Sequence, residues 1–177
     1  WDVATAIGLA EAVAPVKPLW LEDALPAPYT DGWRQLRLAS PVRIMTGEKL
    51  ETARDFLPFV ANGAVDVIHP DLAYAGGITG CRKIAELAEL YYVPIVTHCV
   101  GSLVHMAATA HFGAAMRNFV MSETRLAHPG HLVDQIGTQP VAVIDGRMRV
   151  PDGPGLGITL DPAALKDYME EGESFWD

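Results

Sequence analysis

The chain has 177 residues, which is the size of one domain or of a large part of a bigger one. Half of its residues are hydrophobic, so we expect a packed core and exclude wholesale disorder. The formal net charge of −9 disfavours nucleic-acid binding, because an acidic surface repels phosphate backbones. The two cysteines, Cys81 and Cys99, form no CxxC pair, which argues against a disulfide framework or a zinc site. No apolar run reaches the roughly 18 residues that a membrane helix needs.

Five short apolar runs have the near-continuous hydrophobicity of parallel strands that are covered on both faces. In chain order, the predicted strands are residues 19–21, 42–47, 65–70, 93–97 and 119–122. A polar residue follows each run, and these five residues are Glu22, Glu48, Asp71, His98 and Glu123. They are 26, 23, 27 and 25 residues apart, which is the length of one strand, one helix and two short loops.

Helical patterns separate the predicted strands. We predict helices over residues 3–13, 32–38, 50–60, 78–90 and 103–116, with Asp2 as the cap of the first. After Glu123 the period stops, and residues 125–137 are polar and irregular. Residues 141–150 then predict a β-hairpin with a turn at Asp145-Gly146. Asp161 and Pro162 begin a last helix, which is predicted to reach about Glu170.

Strands that alternate with helices imply right-handed βαβ units and a parallel sheet. A doubly wound sheet and a (β/α)8 barrel both fit this pattern. The strand-end residues favour the barrel, because the strands of a barrel open onto one shared mouth, whereas an open sheet would spread these side chains along an edge. We therefore predict an α/β fold in which residues 1–125 supply strands four to eight of a (β/α)8-type barrel. Three βα units are expected before Trp1, and we do not expect residues 1–177 to fold alone, because unpaired strand edges would remain.

Glu22 and Glu48 follow adjacent predicted strands, and two carboxylates at one mouth repel each other unless a proton or a cation neutralises them. Carboxylates together with substrate oxygens suit Mg²⁺, so we predict a metal site here. Solvated acids at the starts of helices are the alternative interpretation of this pair.

Asp71 and His98 follow the next two strands, where the carboxylate can fix one imidazole nitrogen and leave the other as a base. Such a base can take a proton from carbon when a metal stabilises the resulting enediolate. If burial keeps Glu123 protonated, its carboxyl can donate a hydrogen bond to the developing oxygen anion. A structural histidine beneath the loops and a surface acid are the alternatives, but five polar strand ends in phase favour a site.

Other candidates carry less weight. Lys49 and His69 could contact a substrate, although neither is diagnostic. His105 and His111 are six residues apart on a predicted helix, so they face different sides and make a poor metal pair. His128 and His131 are close enough to share a ligand, but a flexible polar loop is the better interpretation.

The stretches that contain these residues resemble the C-terminal half of the enolase superfamily, in its mandelate racemase branch. The resemblance covers Trp1 to about Leu160. It rests on Trp20-Leu-Glu-Asp-Ala-Leu-Pro26, Met45-Thr-Gly-Glu-Lys49, Val67-Ile-His-Pro-Asp-Leu72, Ala75-Gly-Gly-Ile-Thr79, Pro94-Ile-Val-Thr-His98 and Val150-Pro-Asp-Gly-Pro-Gly-Leu-Gly157.

The resemblance implies that Glu22 and Glu48 are metal ligands, that His98 is the general base in a dyad with Asp71, and that Glu123 is the eighth-strand acid. It further implies a third metal ligand before Trp1. Residues 126–177 then form a C-terminal segment that packs on the barrel and on an N-terminal capping domain, and that domain and the first three strands are absent from this chain. Asp23 departs from the family pattern, in which a second Glu is common, and residues 99–102 depart from it as well.

The context of Glu48 resembles the acid-sugar dehydratases of this branch. The implied function is a Mg²⁺-dependent lyase that removes the proton α to a carboxylate and then eliminates water. A racemase or epimerase of an α-hydroxy acid and a non-catalytic barrel remnant are the alternatives. We expect a small carboxylate substrate, a homo-oligomer, no nucleic-acid or membrane partner, and a cytoplasmic location.

Overall fold

The computed structural model describes residues 1–124, 135–138, 141, 143–170 and 172–174. Its helices are α1 (Val3–Val13), α2 (Asp31–Ala39), α3 (Ala53–Ala61), α4 (Gly77–Leu90), α5 (Leu103–Ala115) and α6 (Pro162–Lys166), and a 3₁₀ turn covers Ala14–Val16. Its strands are β1 (Leu21–Glu22), β2 (Ile44–Thr46), β3 (Val67–Ile68), β4 (Ile95–Thr97), β5 (Phe119–Ser122), β6 (Val143–Ile144) and β7 (Arg147–Met148).

Strands β1 to β5 form one parallel sheet in chain order, and a helix connects each strand to the next. The predicted α/β fold and the strand–helix period are therefore confirmed. Strands β1 to β4 are shorter than predicted, whereas β5 has the predicted bounds; Leu19, for example, lies outside β1 and is exposed. Helix α3 begins at Ala53, three residues later than predicted, because Thr52 and Asp55 form a capping box that sets its start.

The apolar runs are continuous because successive side chains of each strand point to opposite faces of the sheet, and both faces are packed. Ile44, Ile68 and Ile95 point into the main core between the sheet and its helices, where Trp33, Phe56 and Phe59 are fully buried. Their neighbours in sequence point to the other face and form a second, inner cluster, which consists of Met45, Val67 and Val96 with Trp20 packed against it. Because the inner cluster fills the concave side, polar side chains remain only at the strand ends.

Part of the chain after β5 packs against α5. The predicted hairpin is confirmed, since β6 and β7 pair antiparallel around Asp145 and Gly146. Asp161 caps α6 as predicted, but this helix ends at Lys166 instead of near Glu170. His128 and His131, the proposed boundary between residues 125 and 126, and the last three residues lie outside the described residues.

None of the helices in the described part of the chain is long and apolar enough to cross a membrane.

Candidate active site

Backbone hydrogen bonds continue the parallel ladder beyond the strands and bring the strand-end residues level with one another. The amide of His69 donates to the carbonyl of Thr46 at 3.0 Å, and that of Glu123 donates to the carbonyl of Thr97 at 3.0 Å. Asp71 and His98 pair as an isolated parallel bridge. Because the ladder aligns the carboxyl ends of neighbouring strands, the side chains that follow them converge on one mouth.

Asp71 and His98 form a close pair. Nδ1 of His98 lies 2.5 Å from Oδ2 of Asp71, and both side chains are largely buried. The other oxygen of Asp71 accepts hydrogen bonds from the amides of Ala73 at 2.6 Å and Tyr74 at 3.2 Å. An aspartate held in this way fixes the proton of the imidazole on Nδ1, so that Nε2 of His98 carries the lone pair.

The Nε2 atom of His98 faces two further predicted residues. It lies 3.2 Å from Oε2 of Glu48 and 3.9 Å from Oε2 of Glu123. The structure thus places three predicted acids around the imidazole ring of His98: Asp71 at Nδ1, and Glu48 and Glu123 at Nε2.

His69 lies between Glu22, the other predicted metal ligand, and Glu123. Its Nδ1 lies 3.4 Å from Oε1 of Glu22, and its Nε2 lies 3.4 Å from Oε2 of Glu123. The contact with His69 is the main reason that the pKa of the Glu22 carboxyl lies below its ordinary value; burial opposes this effect, and a hydrogen bond from the Trp20 indole supports it. All five predicted residues therefore meet at the mouth, although Glu22 joins the others through His69.

His69 is the residue whose importance the sequence reasoning missed. It is fully buried and packs edge-on against His98, with ring centroids 5.4 Å apart. Two residues before Asp71 on the same strand path, it shares the inward face with Val67 and Asp71 because strand side chains alternate. That spacing of two was visible in the sequence and is the signal that would have found it.

The geometry of Gly47 allows this crowding. Its φ of +144° lies in the region that favours glycine, and a Cβ there would approach the backbone nitrogen of His69 to 2.9 Å. A Cβ would also meet the ring of Phe56 at 2.7 Å, so any other residue at this position would clash with both neighbours.

Lys49 contacts acids of this chain at the rim of the mouth. Its ammonium lies 2.5 Å from Oδ2 of Asp23 and 2.7 Å from Oε1 of Glu48. Thr46 donates a hydrogen bond to the other oxygen of Asp23 at 2.6 Å. Hydrogen bonds from Lys49 to these two carboxylates raise the pKa of its ammonium above its usual range. Lys49 therefore stays charged and partly offsets the negative charge of the mouth.

The donor atoms of Glu22, Glu48 and His69 fit a metal ion. One ligand atom from each lies within 4.8 Å of the other two. Both ring nitrogens of His69 are buried and have no hydrogen-bond partner among the described residues. Because buried polar atoms normally have a partner, a ligand at the centre of the cluster would supply one. The two carboxylates supply the oxygen donors that Mg²⁺ prefers.

Comparison with known proteins agrees with this architecture. The sequence model of the family described as "Enolase C-terminal domain-like" matches residues 1–164. A D-xylonate dehydratase of Haloferax volcanii is 34% identical over 158 residues, which are 89% of this chain and 38% of that protein. A D-mannonate dehydratase of a Sphingomonas species is also 34% identical, over 90% of this chain and 40% of its own length. The chain thus spans less than half the length of these relatives.

A solved structure shows the same fold. The mandelate racemase/muconate lactonizing enzyme-like protein from Rubrobacter xylanophilus superimposes with a TM-score of 0.90 and 34% identity, over 100% of this chain and 45% of the other. The chain therefore belongs to the enolase superfamily, and it corresponds to the C-terminal barrel part of that fold.

Proposed function

We propose that this chain carries most of the active site of a Mg²⁺-dependent acid-sugar dehydratase, a hydro-lyase. The observation that carries the proposal is the Asp71–His98 pair, in which Nε2 of His98 faces Glu48 at 3.2 Å and Glu123 at 3.9 Å. A base in contact with acids at the mouth of a barrel is suited to removing a proton from a carbon next to a carboxylate. The relatives that are named dehydratases of xylonate and mannonate support a sugar acid as the substrate class.

In this mechanism Glu22 and Glu48 would hold the metal ion, together with a third ligand that we expect before Trp1. The ion, when bound, supplies positive charge that stabilises the negative charge developing on the substrate carboxylate. His69 lies against Glu22, so it restricts the orientations that this carboxylate can take.

Asp71 accepts a hydrogen bond from the Nδ1–H group of His98 and so keeps the lone pair of the ring on Nε2. His98 then takes the proton from the α-carbon, and the electron pair of that C–H bond moves into the carboxylate. If its carboxyl is protonated, Glu123, 3.9 Å from Nε2 of His98, is placed to donate a hydrogen bond to the oxygen that gains charge. As the electrons return, the C–O bond at the β-carbon breaks, and the departing hydroxyl takes up the proton that His98 now holds on Nε2 and leaves as water.

The test is a screen of the full-length protein against acid sugars in deuterated water, with Mg²⁺ and with a chelator. We expect Mg²⁺-dependent formation of a 2-keto-3-deoxy acid. His98→Asn should lose α-proton exchange while it binds Mg²⁺ nearly as well as the parent protein. His111→Gln is the matched control, because His111 contacts the carbonyl of Leu156 on another side of α5.

Two other results would contradict the proposal in different ways. Exchange with inversion at the α-carbon and no loss of water would identify a racemase or epimerase. Failure to bind Mg²⁺ or to exchange any α-proton would identify a non-catalytic barrel protein. A cytoplasmic location and a homo-oligomeric assembly stay predictions.

A further inference from the structure

We propose that His105 is a positioning residue that donates a hydrogen bond from Nε2 to Asp71 and so holds the dyad in its working orientation. The inference rests on the proposed function, in which His98 is the base.

The Asp71 carboxylate lies between two imidazoles. Nδ1 of His98 approaches Oδ2 at 2.5 Å, and Nε2 of His105 lies 3.4 Å from Oδ1. Asp71 is buried and His105 is partly buried, with side-chain exposures of 4% and 9%. Because each histidine faces a different oxygen, the second imidazole can restrain the carboxylate without competing with the first.

The Nε2 atom of His105 has no other partner within the described part of the chain. It is buried and, although it lies 3.4 Å from Oδ1 of Asp71, its orientation gives no hydrogen bond. A small rotation of the ring, with a slight approach, would align its N–H with Oδ1. Oδ1 accepts the amide of Ala73 at 2.6 Å and that of Tyr74 at 3.2 Å, so the imidazole would share the acceptor site that the longer Tyr74 contact occupies.

The local fold explains why the ring points this way. His105 lies in the first turn of α5, and helical side chains lean towards the N-terminus, here towards the loop that follows His98. Gly101 in that loop leaves room for the ring, since a Cβ at this position would lie 2.4 Å from Nδ1 of His105. With Nδ1 against Gly101, it is Nε2 that faces Asp71.

The electrostatics agree with a neutral donor. Burial is the largest cause that lowers the pKa of His105, and the charge of Asp71 only partly offsets it. A neutral imidazole carries one ring proton, and the position of Asp71 favours that proton on Nε2.

The first experiment compares variants of the full-length enzyme. His105→Leu removes the donor, and His105→Gln keeps an N–H group close to the position of Nε2. We expect His105→Leu to lower kcat about tenfold with KM nearly unchanged, as is usual when a group that orients a functional histidine is lost. His105→Gln should restore most of kcat. Equal kcat in His105→Leu and the parent enzyme, or equal losses in both variants, would overturn the inference.

The second experiment needs neither a variant nor a substrate. Nitrogen shifts of ¹⁵N-histidine in the full-length protein report which ring nitrogen carries the proton. We expect His105 to be protonated on Nε2 and His98 on Nδ1. A proton on Nδ1 of His105 instead would refute the inference even if His105→Leu failed to fold. If the parent protein lacks dehydratase activity, the proposed function fails, while this measurement still decides the role of His105.

Discussion

Replacing Asp71 by asparagine should remove the base without disturbing the fold. The amides of Ala73 and Tyr74 both point at the Oδ1 position, so the oxygen of the new side chain must lie there. Its NH₂ group then takes the place of Oδ2 and donates to Nδ1 of His98. The ring proton of His98 is forced onto Nε2, and the atom that should accept the substrate proton no longer has a lone pair.

The expected loss is large because the wrong tautomer, and not merely a weaker contact, is stabilised. The same substitution in serine-protease triads lowers kcat about 10⁴-fold for this reason. We expect the rate of α-proton exchange to fall about 10³- to 10⁴-fold, which corresponds to about 4 to 5.4 kcal/mol of barrier.

The assay is α-proton exchange in deuterated water, followed by NMR on the full-length protein with a substrate found in the screen. Asp152→Asn is the matched control, since Asp152 is exposed and pairs only with Arg149 in the part of the chain described. Urea unfolding should show that both variants remain folded. An Asp71→Asn enzyme that exchanges within tenfold of the parent rate would refute the tautomer argument and the role of His98 as base.

Three further predictions concern charge, capping and thiol reactivity. Lys49→Met removes a cation that lies 2.7 Å from Glu48, so Mg²⁺ should bind about fivefold more tightly by calorimetry; unchanged or weaker binding would contradict this. Thr52→Ala should lower the free energy of unfolding by about 1 kcal/mol. Hydrogen bonds from Thr52 lower the pKa of Asp55 from its ordinary value of 3.8. The stability that the ionised Asp55 contributes is therefore present above that pH and is lost as the pH falls below it. In urea titrations, Asp55→Asn should lack this acid-dependent loss of stability. Burial raises the pKa of the Cys81 thiol to about 12, so it should resist alkylation at pH 8 until urea unfolds the protein, and rapid labelling of the native state would show that this core opens.

Much of the fold could be predicted because its signals are local. The apolar runs and their spacing predicted five parallel strands with helices between them, and the cap residues Asp2 and Asp161 marked two helix starts that the structure confirms. The start of α3 was misplaced because residues 50–52 are compatible with a helix. Hydrogen bonds from the amide and the hydroxyl of Thr52 to the carboxylate of Asp55 decide the boundary, and a hydrophobic pattern carries no information about them.

The sequence by itself determined which side chains can meet at the mouth, since a parallel barrel-type sheet brings the carboxyl end of every strand to the same side. It named Glu22, Glu48, Asp71, His98 and Glu123 because each directly follows an apolar run. Only the tertiary structure decided which atoms meet: His69 between two carboxylates, and His105 against the second oxygen of Asp71. The physical reason is that contacts of about 3 Å depend on strand register and on the path of the loops. Residues 71 and 105 are 34 positions apart, and nothing in their spacing encodes how α5 packs against the end of the sheet.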